Sequence, residues 1–477
     1  MSYAIYIGKN HTADGIAYLA GYGDEPSSHW LEVIPRRSHS EGSTISVGVT
    51  EQADMPGIRT NIPQASETAR HIRVSYSYYL GVPAPITNGG LNEYGVAVRD
   101  IWSPSRPELV EMTPPNQSGP NYSDLARIAL ERAKTARQAV EIIGSLIDQY
   151  GESSYGGNSH FIADSQEAWV LIEFAGNQKL WAAERLDDNA IRASRPGYIL
   201  DIPIDQTGHP DYLYSECLVS FATEQGWYKS GSNLPFNIND IYGDGKGRWA
   251  GVEWVEGEMK NRAVASTKIK LSDIFWSIKT SRLTGDTAGY GQVVPLCNPQ
   301  YPELRMIWHS PIGASMSPLV PVYLGVDSIP EEYDHHRYLS VDEDAKFAVL
   351  HHTFGDKMLT SVNQGVESTR SAVAIFKRLM YLCFQNENTF VPEVEKVFET
   401  FEVNMAKKQS DVLETAETLL HFGKKRLAIK YLTDQSTNDL LEALSLCEKL
   451  VQFIEIKTRL MFGIDRTGPP RSPKQVW

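Results

Sequence analysis

The chain has 477 residues, more than the roughly 250–300 at which single hydrophobic cores stop growing, so one large domain with an appended region is expected. Its 42% hydrophobic and 22% charged residues exclude the disordered and fibrous classes. A formal net charge of -14 works against nucleic acid and anionic membrane surfaces, which leaves small molecules or peptides as the expected partners.

The opening residues alternate as a strand, with Ala4, Tyr6 and Gly8 on one face and Tyr3, Ile5 and Ile7 on the other. Ser2 therefore stands at the start of a buried strand. Ala13-Asp14-Gly15 then turns into the apolar run Ile16–Ala20, which reads as a hairpin. Neither a basic flank nor a long apolar run marks a signal peptide here, so the expected location is cytoplasmic. Cys217, Cys297, Cys383 and Cys447 show no metal spacing and read as buried thiols.

Gly89–Val98 is a Gly-punctuated turn feeding a strand. Ser123 or Asp124 is placed to cap a helix carrying Leu125, Ile128 and Ala129, and a second apolar face runs from Ala139 to Ile147. Strands are expected at His160–Ala163, Ala168–Phe174 and Lys179–Ala183, giving α+β layers. Asn233–Gly257 is rich in Gly, Asp and Asn and reads as a surface loop. Apolar runs resume at Arg305–Trp308 and Leu319–Leu324, the second with the prolines of an edge strand. Helical periodicity takes over beyond about Ser340, and Thr467–Trp477 reads as a loose tail. This gives a core over 1–340, a helical region over 341–465 and a tail over 466–477.

Once Met1 is removed, Ser2 carries a hydroxyl and a free α-amine on one residue. The amine, with an ordinary pKa near 8, can take the hydroxyl proton, so nucleophile and base are self-contained.

The segments Ser2–Asn10 with Ala13-Asp14-Gly15, Leu91–Val98 with its Asn-Glu-Tyr-Gly-Val-Ala core, Arg132–Val140, Asn158–Asp164 with Glu167-Ala168-Trp169, and Trp181–Glu184 come in a meaningful order. Together they resemble the N-terminal-nucleophile cysteine dipeptidase family, of the dipeptidase A and secernin-like kind, over roughly the first half of the chain. The resemblance implies a four-layer αββα sandwich of Ntn-hydrolase type, followed here by the helical C-terminal region. It also implies cofactor-free hydrolysis of a peptide or small amide. In that carry-over Ser2 is the nucleophile, Asp24 orients the α-amine and Asn92 contributes to the oxyanion hole.

Three positions depart from the pattern. Ser2 stands where the family has Cys, Gly21 where it has Arg, and Arg195 where it has an oxyanion-hole Asn. Arg195 is the candidate substrate-binding residue, able to supply a donor or the missing positive charge. Two alternatives to peptide hydrolysis follow: an amidase or acyltransferase on a specialised metabolite, and a catalytically impaired member that binds a ligand or partner.

Asp334-His335-His336 and His351-His352 lack a carboxylate at ligand spacing, so no metal site is expected. The apolar stripe Val366–Phe384 reads as helix core or a subunit contact, which leaves homo-oligomerisation open.

Overall fold

The computed structural model describes residues 2–23, 29–76, 82–83, 85–206, 208–231, 234–265, 268–284, 288–312, 314–334 and 370–463. The principal strands are β1 Tyr3–Ile7, β2 Tyr18–Tyr22, β3 His29–Ile34, β4 His71–Tyr76, β5 Ile86–Asn92, β6 Ala97–Trp102, β7 Asn158–Ala163, β8 Ala168–Glu173, β9 Trp181–Leu186, β10 Ile191–Ser194, β11 Tyr212–Tyr214, β12 Gly291–Pro295, β13 Met306–Ser310 and β14 Val320–Tyr323. The principal helices are α1 Tyr122–Arg132, α2 Ala136–Tyr150, α3 Ala250–Ala265, α4 Leu271–Lys279, α5 Ala372–Gln385, α6 Glu387–His421 and α7 Lys425–Phe462.

The strands form a six-stranded sheet in the order β10-β1-β2-β12-β13-β14 and an eight-stranded sheet in the order β11-β9-β8-β7-β6-β5-β4-β3. Neighbours in both are antiparallel. The expected N-terminal hairpin is present, with Tyr3 opposite Tyr22 and Ile7 opposite Tyr18.

Strand periodicity divides the eight-stranded sheet between two cores. Ala97, Phe161, Val170 and Ala182 face a core shared with β1 and β2, whereas Val98, Ile162, Leu171 and Ala183 face a second core under α1 and α2. β6 also lies against β1 and β2, so the two sheets meet face to face. On the far side of the six-stranded sheet, α3 packs on β10 and α4 on β2 and β12.

Gly89 and Gly90 are the two positions where β5 cannot carry a side chain. At φ values of +132° and +159°, an added Cβ would lie 2.0 Å from the Val98 carbonyl oxygen and 1.9 Å from that of Ile72.

α6 and α7 pack against β14, the end strand of its sheet. Lys279 of α4 forms a buried ion pair of 2.6 Å with Glu402 of α6. Glu402 Oε1 also accepts from the Leu319 backbone N–H at 2.8 Å, so the helical region is tied to the core at its sheet edge.

Several local expectations are corrected. The segment 233–257 is not a loop throughout: Asn237 caps a short helix, Ile238–Tyr242, and α3 begins at Ala250. Val252, Val255 and Met259 are fully buried at helical steps, a signal diluted in sequence by the intervening glycines and glutamates. Asn121, not Ser123 or Asp124, caps α1, accepting from both their backbone N–H groups while Asp124 accepts from Asn121 N–H. Cys383 and Cys447 are buried free thiols, but Cys217 and Cys297 are only half-buried. α5 matches the apolar stripe where it is described, with Phe376, Leu379, Met380 and Cys383 in the core. The boundary near 340, His335, His336, His351, His352 and the tail from 466 lie outside the described residues. Among those described, no helix is long and apolar enough to cross a membrane.

Candidate active site

Tyr3 fixes which way Ser2 faces. The Tyr3 hydroxyl donates to the Ser277 carbonyl of α4, and its ring lies 6.4 Å from that of Trp249, so Tyr3 points to the helices. Strand alternation turns Ser2 the other way, toward the eight-stranded sheet. Ser2 is 8% exposed, buried but not sealed.

Arg195 closes over it. Its Nη1 donates to the Ser2 carbonyl oxygen at 2.9 Å and to the Ser2 hydroxyl oxygen at 3.2 Å. The guanidinium carbon sits 5.6 Å from the ring centroid of Trp102, at the end of β6, so the cation bridges from one sheet to the other. Trp249 N–H donates to the Arg195 carbonyl at 3.0 Å, and Gly197 N–H donates to the Ser103 hydroxyl at 3.1 Å. The backbone on both sides of the guanidinium is thus held.

The edge strand leading to Arg195 is held as well. Ala193 N–H donates to Glu256 Oε2 at 3.0 Å, and Arg248 Nη2 donates to the Ala193 carbonyl at 2.6 Å and to Glu256. Burial raises the Glu256 carboxyl, but donors from Lys260 and Arg248 outweigh it and hold it below the ordinary range. This bracket satisfies an otherwise open sheet edge. No local sequence pattern connects Ala193 with Arg248 and Glu256.

Gly21 pairs with Ala4, and a Cβ there would stand 2.8 Å from the Tyr3 carbonyl oxygen. The backbone therefore holds a glycine at this place, and the cation beside Ser2 comes from Arg195 instead.

Asn92 is placed differently from the expectation. Its Nδ2 donates to the carbonyls of Leu130 at 3.0 Å and Ala133 at 2.8 Å, while its Oδ1 accepts from Tyr94 and Val96 N–H, both at 3.0 Å. All four bonds are to backbone, so no amide N–H remains for an oxyanion. Asn92 locks the β5–β6 turn to the end of α1. Asp24 lies outside the described residues. Of the predicted residues, the structure brings Ser2 and Arg195 together and sets Asn92 apart in a structural role.

A further group lies beyond Gly23, whose N–H donates to the Tyr290 carbonyl at 3.0 Å. The Tyr290 ring is 4.6 Å from the Arg99 guanidinium and stands 5.7 Å from His29 and 6.4 Å from His309. Burial, with His29 adding to it, pushes His309 down to about 3, so its imidazole is neutral at ordinary pH. These residues come from four distant segments, and none carries a sequence signal. Among the described residues no cluster of three His, Cys, Asp or Glu side chains could hold a metal ion.

Residues 86–248 match the family model described as peptidase family C69. The chain is 24% identical over 264 residues to a probable dipeptidase B of Lactococcus lactis subsp. lactis (strain IL1403), covering 51% of this chain and 53% of that one. It is 32% identical over 229 residues to a probable dipeptidase of Salmonella dublin, covering 47% of this chain and 49% of that one. It thus spans about half the length of the curated relatives it matches. Among solved structures it is similar to penicillin V acylase from Agrobacterium tumefaciens, at 12% identity and a TM-score of 0.32 over 68% of this chain and 86% of that one. It is also similar to a mutant conjugated bile acid hydrolase from Clostridium perfringens, at 10% identity and a TM-score of 0.29 over 68% of this chain and 92% of that one.

Proposed function

We infer that this chain, a relative of the peptidase family C69 dipeptidases, hydrolyses a peptide or small amide bond through Ser2. The observation that carries the reading is the Arg195 guanidinium on the Ser2 hydroxyl, at the mouth of two facing sheets. The packing of α1 and α2 on one sheet, and of α3 and α4 on the other, supports an αββα order for the scaffold.

The mechanism starts with Met1 removed. The Ser2 α-amine takes the hydroxyl proton, directly or through water, and Oγ attacks the carbonyl carbon. Arg195, already a donor beside Oγ, stabilises the negative charge that collects on the substrate's carbonyl oxygen as the tetrahedral intermediate forms. Asp24 orients the amine. Collapse expels the leaving amine, which takes the proton from the Ser2 ammonium, and leaves an acyl-Ser2 ester. Water opens the ester with the same amine as base. A nucleophilic amine in place of that water would make the chain an acyltransferase.

A hydroxyl ionises far less readily than a thiol, so Ser2→Cys should exceed the wild type, and Ser2→Ala should be inactive, on a panel of dipeptides and acyl amides. Intact mass establishes Met1 removal in each preparation. Equal turnover by wild type and Ser2→Ala would exclude Ser2 as the nucleophile. Binding without turnover in all three would favour the impaired-member reading, which the Gly21 and Ser2 departures support.

A further inference from the structure

The last helix carries a face that its own bundle uses only in part: Leu446 is half-buried against the core, while Phe453, Ile456 and Leu460 stand open to solvent. Along α7, Leu440, Ala443, Leu444, Cys447, Val451 and Ile454 are buried against the rest of the molecule. On the opposite side Glu442, Leu446, Lys449, Phe453, Ile456 and Leu460 recur at alternating steps of four and three, the heptad pattern of a helix-pairing seam.

The lower half of this seam is one wall of an open groove of about 740 Å³, whose other wall on α6 includes Val397 and Phe401. Its upper half is apolar and open to solvent: Phe453 is 53% exposed, Ile456 59% and Leu460 82%. Three large apolar side chains on one helical stripe are more than scattered surface hydrophobics. Lys457 fixes the end of the stripe, pairing with Glu393 of α6 and lying 5.6 Å from the Phe453 ring.

We propose that two copies of this chain pair through this face, their α7 helices antiparallel about a twofold axis near Val451. That axis matches every seam position with another seam position. Leu446 falls opposite Ile456, Lys449 opposite the Phe453 ring, and Glu442 opposite Leu460 beside Arg459. The apolar upper half of each helix thereby covers the groove of the other. The charges agree with this register: Glu442, Lys449 and Arg459 have no ion-pair partner among the described residues, and the pairing brings Glu442 to Arg459 of the second copy twice across the axis. The contact is isologous and closes at two copies. Its seam, Glu442 to Leu460, is about 27 Å long at the rise of an α-helix.

Sedimentation equilibrium of the full chain at micromolar concentrations tests this. The wild type should be a dimer. Ile456→Glu should weaken it by about a hundredfold, since it sets a carboxylate against Leu446 of the second copy at two places in the seam, while the far-UV helicity stays unchanged. Glu442→Arg alone should weaken the dimer, and adding Arg459→Glu should restore it. A wild type that stays monomeric overturns the proposal, as does a dimer indifferent to Ile456→Glu. So does failure of the charge reversal to restore pairing. Dimerisation seen only after deletion of residues 464–477 would mean that the chain covers the face itself, and would overturn it too.

Discussion

A single nitrogen, Arg195 Nη1, donates to both the carbonyl and the hydroxyl oxygen of Ser2, at 2.9 and 3.2 Å. One cation thereby sets the orientation of the hydroxyl and the electrostatics of any charge that develops on it.

Under the proposed mechanism, Arg195→Met should lower kcat/KM about a hundredfold, the typical effect of removing one donor from a developing oxyanion. Arg195→Lys should recover part of this, because a point charge replaces the field but not the planar fork. A cation beside the α-amine disfavours its protonated form, so Arg195→Met should also move the acidic limb of the kcat/KM profile to higher pH. Steady-state kinetics across pH, with Tm as a folding control, checks all three. An unmoved profile with unchanged kcat/KM would remove Arg195 from the chemistry.

Asn92→Ala separates a structural from a catalytic amide. It leaves two carbonyls and two N–H groups without their partner, which should cost about 3 kcal/mol of stability. The folded fraction should keep kcat within about twofold of wild type. A loss of about a hundredfold or more at unchanged Tm would instead return Asn92 to the oxyanion hole. Denaturant unfolding and kinetics on the same sample give both numbers.

The buried cluster under α1 sets a pH dependence of stability. His160 and Glu173 are wholly buried, with Nδ1 3.1 Å from Oε1, and His160 Nε2–H donates to the Tyr122 carbonyl at 3.0 Å. Burial, reinforced by the Glu173 charge, holds Glu152 well above the ordinary carboxylate range. Burial alone would lower His160, but Glu173 outweighs it and raises the imidazole above its usual value. Both folded-state values are raised, so both contributions are complete below the unfolded values of about 4.3 and 6.5 and fade as pH climbs through the folded ones. Tm should therefore fall as pH rises above about 4.3, where the loss of the Glu152 contribution begins, and further above about 6.5 with that of His160, and Glu152→Gln should flatten the first part of that decline. Calorimetry showing the same slope in Glu152→Gln and wild type would remove Glu152 from the effect.

Where pattern and partner lie close in sequence, the fold is legible. The β1–β2 hairpin follows from alternation and one Asp-Gly turn, and α2 from the spacing of Ala139, Val140, Ile143 and Ile147. Arg195 stands out by its place in the family pattern, and its contact with Ser2 gives that choice a geometry. Asn92 shows the limit of a motif: the Asn-Glu-Tyr-Gly run identifies the residue but not which groups its amide meets, because Leu130 and Ala133 arrive from a helix about forty residues on. The Glu256–Arg248 bracket and the Tyr290 cluster depend wholly on such long-range encounters. Periodicity is blind to them.

The Lys279–Glu402 pair also bears on the order in which the molecule is made. Its two residues are 123 positions apart, and Glu402 also receives the Leu319 N–H beside the end strand of the six-stranded sheet. During synthesis the whole sheet, with Ser2 at its opposite end of the sequence, is out of the ribosome before the carboxylate that neutralises Lys279 exists. At about 5–20 residues per second, that interval lasts several seconds or more, with an uncovered strand edge at β14. The nascent core must outlast this exposure, so assembly of the nucleophile's sheet and docking of the C-terminal helices are separate events in time.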